Sequence, residues 1–243
     1  MHIKKPGLVL LCCTFAIFLL SCANPQHISS TPETPVASSN ITSTYTKLTQ
    51  TGGTLFRLNP AASTVRIYAF RGGLAGKLGH NHVLSAPQFT GFFYAPASGL
   101  AQSQFDLEFR LDQLQLDNPE QRAALGPAFA SVLDEDAIAS TRSHMLGDSN
   151  LQADKYPLLR IHSLQITGEA PKFAAKIQIE LHGQLREMWV PLSVQGLPEK
   201  LLVTGALVVK QTDFGITPYS ALGGLLAVQD ELLIEFQLCS ANR

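Results

Sequence analysis

The sequence predicts an all-β protein, an antiparallel sheet closed or nearly closed into a barrel and interrupted by a short helical insertion. Three observations carry this. Apolar and polar residues alternate with period two in many segments, as in Phe105, Leu107, Phe109 and Leu111 against Asp106, Glu108 and Arg110. Turn signals separate these segments, among them Gly91, Gly168-Glu169-Ala170-Pro171, Gly196-Leu197-Pro198 and Gly223-Gly224. One stretch, 118–146, carries helix caps instead. So many amphipathic strands leave exposed edges unless the sheet closes, which favours a barrel. With 243 residues, 45% hydrophobic and 15% charged, the chain can bury one sizeable core, consistent with one domain plus appendages.

At the amino terminus, Lys4 and Lys5 precede an apolar run from Leu8 to Leu20 that is too short to span a bilayer comfortably, the pattern of a secretory signal. The run ends Leu19-Leu20-Ser21-Cys22, which resembles the bacterial lipobox, where a small residue precedes a cysteine that is acylated and becomes the first mature residue. Residues 1–21 are therefore expected to be a lipoprotein signal peptide and Cys22 the lipid anchor; the alternative is an ordinary signal peptide cut nearby, with Cys22 a spare thiol. Ala23 stands where an aspartate commonly retains such proteins at the inner membrane, so the resemblance implies an outer-membrane lipoprotein of the bacterial envelope, facing the periplasm. Cys12 and Cys13 fall in the removed segment and leave Cys239 alone, so no intrachain disulfide framework is expected.

Residues 22–53 are rich in Ser, Thr, Pro and Asn with little apolar periodicity, and read as a tether. A coil of about 30 residues, at roughly 5–6 Å × √n, holds a domain tens of ångströms from a membrane. The folded domain is placed at 54–240. Its early strands carry Leu55 and Arg57, then Val65, Ile67 and Ala69; later strands are predicted at 158–167, 173–182, 188–195, 201–212 and 230–239. Between them, Asn118-Pro119-Glu120-Gln121 supplies an N-cap, a first-turn proline and a partner for a capping box, predicting a helix of about three turns bearing Ala123, Leu125, Phe129 and Val132. Asp134 caps a second helix that runs towards His144 and ends near Gly147, with Glu135 and Asp136 suited to a helix amino terminus.

Charge and motif content narrow the function classes. Lys+Arg 18 against Asp+Glu 19 gives a net charge of −1, and the basic residues are scattered, so no nucleic-acid partner is expected. There is no Gly-x-Ser-x-Gly elbow, no His-Glu-x-x-His and no Cys-His pair in the mature chain, and no enzyme is predicted. The triplet Asp213-Phe214-Gly215 also occurs in protein kinases, but no glycine-rich phosphate loop or His-Arg-Asp loop accompanies it. It is expected to be a strand-end turn in which Asp213 accepts backbone hydrogen bonds and Phe214 packs.

Over most of 54–240 the chain resembles the YceI-like family of bacterial envelope proteins. Ser63-Thr64-Val65-Arg66-Ile67 fits that family's opening strand; His144 stands thirteen residues before Pro157 of the Tyr156-Pro157 pair; Gly183 with Val190-Pro191-Leu192, and then Asp213-Phe214-Gly215-Ile216, follow in order. The resemblance implies a lipocalin-like antiparallel β-barrel with a helical insertion that binds a polyisoprenoid or other long-chain amphiphile. The chain departs from the family pattern at Thr141-Arg142, Asn150-Leu151 and Gln211, so the identity of the ligand is not read from the resemblance.

A barrel of about eight strands either fills itself with side chains or leaves room for one slender ligand. Phe70, Phe89, Phe92, Phe105, Phe109 and Phe214, with Phe173 and Phe236, are the aromatic candidates for its interior. A chain of methylenes entering such a tunnel gains on the order of 0.8 kcal/mol each. His80 and His82, one residue apart in an expected strand, share a face. With Arg71, Lys77 and His144 they are placed at the barrel mouth as contacts to a ligand's polar head; the alternative is a metal site of His80, His82 and His144, or plain strand residues satisfied by the backbone. The function expected is binding, sequestration or transport of a polyisoprenoid or fatty-acid-like lipid in the bacterial envelope. A histidine-based metal-binding or metal-dependent protein is the alternative, and a barrel with a filled core a third reading. The expected partners are a hydrophobic small molecule and the membrane, through the lipid anchor; a homodimer is left open.

Overall fold

Along Lys172–Leu181 every second residue, from Phe173 to Leu181, is buried while the residues between are not, and this alternation builds the molecule. The computed structural model describes residues 41–241. Among them twelve strands form one antiparallel sheet: β1 (Gly53–Arg57), β2 (Thr64–Gly72), β3 (His82–Ser85), β4 (Thr90–Pro96), β5 (Gln104–Arg110), β6 (Gln115–Leu116), β7 (Leu158–Glu169), β8 (Lys172–Leu181), β9 (Gln184–Gln195), β10 (Leu202–Lys210), β11 (Ser220–Ala221) and β12 (Leu226–Cys239). Neighbours run β1-β4-β5-β7-β8-β9-β10-β12-β2-β3-β6, with β11 on β12. The sheet curls into a half-open barrel. The curl is tied at one end, where Leu58 bridges Ser240, the Asn59 amide donates to the Cys239 carbonyl at 2.8 Å and the Ala241 amide to the Arg57 carbonyl at 2.8 Å.

The later strands follow the predicted segments, with β9 and β12 each beginning four residues earlier than expected. The β8–β9 turn, His182-Gly183, has both residues at positive φ (53° and 70°), the geometry of a tight hairpin. Gly183 is required there twice over, because a Cβ would stand 2.7 Å from the Tyr156 ring.

Three α-helices are described: α1 (Ile41–Leu48), α2 (Pro119–Ala124) and α3 (Glu135–Leu146). The Asn118 side chain accepts from the Gln121 amide at 3.1 Å, and Asp134 accepts from the Ala137 amide at 2.7 Å, as the caps predict. The α2 expectation is corrected in length. The helix stops after six residues; Gly126 turns the chain with φ 81°, and Phe129 folds back onto Tyr68. The Gln121 side-chain Nε2 donates to the Ser85 hydroxyl rather than closing a capping box. The insertion lies across one end of the barrel: Arg142 of α3 donates to the Asp112 and Leu114 carbonyls, and Asn150 to the Thr217 carbonyl.

The tether expectation is corrected over 41–51, where α1 and a following 3-10 turn precede β1. Tyr45 of α1 is buried against Phe92 of β4. The signal-peptide and lipobox expectations, Cys22 among them, lie outside the described residues. At the Asp-Phe-Gly turn, Phe214 is buried as expected, but the carboxylate that closes the turn is Asp230, which accepts from the amide and hydroxyl of Thr212.

Candidate functional site

The inward residues of β2, β4, β5, β7, β8, β9, β10 and β12 surround a cavity of about 150 Å³. Every lining side chain is Ala, Val, Leu, Ile or Phe, including Ile67, Phe105, Phe109, Ala175, Ile177, Leu207, Phe214 and Phe236. One position shows the wall being thinned. A Cβ on Gly205 of β10 would stand 2.5 Å from the Phe236 ring, so glycine is what leaves that ring its space beside β10. Cavities left by core truncations cost about 24 cal/mol per Å³, so an empty space of this size costs on the order of a few kcal/mol. A fold stabilised by about 5–15 kcal/mol carries such a void at a large fraction of its margin.

Phe105, Phe109 and Phe214 line the cavity. The expectation that Phe70, Phe89 and Phe92 do so is corrected. Strand parity decides two of them: β2 turns Val65 and Ile67 inward and therefore Phe70 outward, and β4 turns Phe93 inward and Phe92 outward. Phe70 packs with Phe129 of the insertion, and Phe92 stacks on Tyr45 at 5.3 Å. Phe89 sits beside the lining, its ring 5.3 Å from Phe109.

The histidines do not form one cluster. β3 begins at His82, so His80 precedes the strand and the shared-face geometry does not apply. His80 Nδ1 lies 3.1 Å from Ser131 Oγ, and His82 Nδ1 lies 2.6 Å from Asp117 Oδ2. His144 Nδ1 bonds the Ser140 carbonyl one turn back, with its ring against Tyr219. Among the described residues no three His, Cys, Asp or Glu side chains are grouped to hold a metal ion, which removes the support for the metal alternative. Arg71 lies near the end of β2 and Lys77 in the turn that follows it, and Arg71 Nη1 is spent on the carbonyls of Gly79 (3.0 Å) and Lys77 (3.3 Å).

Around His82 lies a buried ionic clamp that sequence reading missed. Asp117, 1% exposed, accepts from the Val83 amide (3.0 Å) and Arg122 Nη1 (2.6 Å) as well as facing His82. Arg122, itself buried, also donates to the Asn81 carbonyl (2.7 Å) and the Ser131 hydroxyl (2.8 Å). Burial pushes the Asp117 carboxyl up, but the hydrogen bonds from His82, the Val83 amide and Arg122 outweigh it and hold it below the usual carboxylate range. The clamp pins α2 and residues 128–131 to β3, with Arg122 Nη2 on the Ser131 carbonyl and the Asn81 side-chain amide on that of Ala128, while Arg122 Nε is buried with no partner among the described residues. A second missed residue is His182. Its Nδ1 is 3.1 Å from the Phe214 carbonyl, its ring meets Tyr156 edge-on at 4.9 Å, and its Nε2 is buried with no hydrogen-bond partner among the described residues. A histidine in an apolar hairpin turn carries no sequence signal beyond its place before Gly183.

A family model for the YceI-like domain matches residues 56–239, from β1 to the end of β12. The chain belongs to the YceI-like family. That family is a binding-protein barrel, known for hydrophobic polyisoprenoid ligands and not known as an enzyme class. Among solved structures the chain is similar to BcnA of Burkholderia cenocepacia, with TM-score 0.56 and 16% identity over 76% of this chain and 99% of that one. It is also similar to the YceI protein of Campylobacter jejuni, with TM-score 0.47 and 10% identity over 66% of this chain and 85% of that one. The first likeness shows the shared fold. No curated protein matches.

Proposed function

We propose that this YceI-like barrel binds the chain of a polyisoprenoid or fatty-acid-like amphiphile and holds or carries it in the bacterial envelope. The wholly apolar cavity of about 150 Å³ supports this reading above all, because it offers a hydrocarbon chain burial and offers a charged ligand nothing. The polar head is assigned to His182, beside the lining residues Leu181 and Phe214. With Nδ1–H donating to the Phe214 carbonyl, the buried Nε2 lone pair accepts from a hydroxyl. On the same reading, Cys22 anchors the protein to the outer membrane on its periplasmic side.

The test is protein purified from its own envelope, extracted and weighed by mass spectrometry, then delipidated and titrated with a prenyl alcohol and a fatty acid. A retained long-chain species is expected, together with saturable binding that is lost in Ala175→Leu and in Leu207→Phe, both of which fill the cavity. His182→Asn, which tolerates the positive φ, is expected to weaken the alcohol more than its methyl ether. Absence of any retained species, with no binding by the delipidated protein, overturns the reading.

A further inference from the structure

We propose that the loop pair 73–79 and 222–225 is a lip that inserts into the interface of a bilayer containing anionic phospholipid. The connection after β2 reads Gly72-Gly73-Leu74-Ala75-Gly76-Lys77-Leu78-Gly79, and the connection before β12 reads Leu222-Gly223-Gly224-Leu225. The two turns meet backbone to backbone. The Ala75 amide donates to the Leu225 carbonyl at 2.8 Å, and Gly73, at φ 85°, fits only because a Cβ there would stand 2.5 Å from the Leu225 oxygen and 2.7 Å from that of Gly224. Arg71 closes the first turn from within through the Gly79 and Lys77 carbonyls. Loops held this way cannot fold their leucines inward, and Leu74 is left 93% exposed, Leu78 78%, Leu222 72% and Leu225 43%. Single exposed leucines are ordinary; four on two interlocked turns are not.

Charge complementarity selects the occupant. Lys77 and Arg71 sit on the same turn as Leu74 and Leu78. No Asp or Glu occurs between Arg57 and Asp106, or between Asp213 and Asp230. Among the described residues neither Arg71 nor Lys77 is in an ion pair. Apolar turn tips with a cationic collar and no acidic neighbour in sequence match the acyl boundary and phosphate layer of an anionic membrane, where long basic side chains keep their charge at the headgroups. A protein partner is favoured less, since protein interfaces centre on aromatic and arginine anchors while leucine is under-represented among their hot spots. The lip borders the end of β2, the strand whose Val65 and Ile67 line the cavity. On the reading of the cavity given above, the lip lets an amphiphile pass between bilayer and barrel with little exposure to water; its membrane contact does not depend on that reading.

The test uses the full chain with Trp189→Phe and a single reporter, Leu78→Trp or Leu222→Trp, mixed with vesicles of phosphatidylethanolamine and phosphatidylglycerol whose acyl chains carry bromine. Both lip reporters are expected to shift to the blue and be quenched, whereas Trp189 in the otherwise native chain, on the outer face of β9, is expected to do neither. Replacing Leu74, Leu78, Leu222 and Leu225 together by serine lowers vesicle affinity by about ten-fold or more, and Lys77→Gln weakens the preference for phosphatidylglycerol. Lip reporters that stay unquenched overturn the proposal. So does a blue shift that tracks protein concentration without vesicles, which marks a second copy as the occupant. Binding of a fluorescent fatty acid without vesicles, measured on the four-serine variant, separates the outcomes: retained binding with lost vesicle affinity supports the lip and leaves the cavity reading standing, while unchanged vesicle affinity in that variant overturns the lip whatever the cavity binds.

Discussion

Asp117 holds three partners that the chain brings from both sides of it: His82 and the Val83 amide upstream, Arg122 one helical turn on. Removing one member of a buried ionic group leaves the rest uncompensated, which typically costs about 3–5 kcal/mol. Asp117→Asn, which keeps the shape and tolerates the φ of 53°, is expected to lose about 3 kcal/mol or more in denaturant melts at neutral pH. Its folded-state pKa is depressed, so its contribution is present above the unfolded carboxylate value and is lost as pH falls through the lower folded value. The acid limb of the stability profile should therefore flatten in Asp117→Asn; an unchanged limb would remove the clamp from the account. None of this was legible in sequence. Asp117 reads as the residue before a helix cap and Arg122 as a surface cation, because the contacts that bury them join positions as far apart as 41 residues. The aromatic candidates failed for a different reason: phenylalanine is apolar on either face of a strand, and only parity within each strand separates Phe109, which lines the cavity, from Phe92, which does not.

Helix α1 shows what a short element hides. Ile41, Tyr45 and Leu48 are its apolar residues that pack on the barrel, a helical i, i+4, i+7 stripe embedded in Ser and Thr that otherwise read as tether. Eight residues are too few for periodicity to outweigh composition. The helix is held by Tyr45, whose hydroxyl donates to Asp106 Oδ2 at 2.8 Å, while Asp106 Oδ1 lies 2.8 Å from His162 Nδ1. Burial, and then the neighbouring carboxylate, push the Tyr45 phenol up, so it remains a donor throughout the physiological range. The hydrogen bond to Asp106 raises His162 against the opposing effect of burial. A raised histidine contributes below its unfolded value near 6.5 and ceases to contribute as pH rises through the folded value. Hydrogen-exchange protection of residues 41–48 is thus expected to decline as pH rises above that folded value, and the decline should vanish in His162→Gln. Because His162 is half exposed, the effect is small beside that of Tyr45→Ala, which removes the buried ring and should abolish the protection at every pH.

For the molecule as a whole, strands were legible because inside and outside alternate locally, and β7, β8 and β10 stand close to where period-two patterning puts them. The cavity was not, because its volume depends on side chains from eight strands meeting across the barrel and on Gly205 yielding space to Phe236. That same dependence couples occupancy to stability. A void lined only by hydrocarbon gives water no hydrogen bonds, so the unliganded barrel bears the cost of the void, on the order of a few kcal/mol, without relief from bound water. A ligand at 100 times its dissociation constant stabilises the fold by about 2.7 kcal/mol. For a domain of this size each kcal/mol moves Tm by about 2–4 °C, so the loaded protein should melt about 5–10 °C above the delipidated one. Leu207→Phe, which places a ring where the chain would lie, should raise the Tm of the delipidated protein or leave it unchanged, and should erase the increment on adding lipid. If the native barrel melts at one temperature with and without saturating lipid, no amphiphile occupies the cavity, whatever is extracted from the preparation.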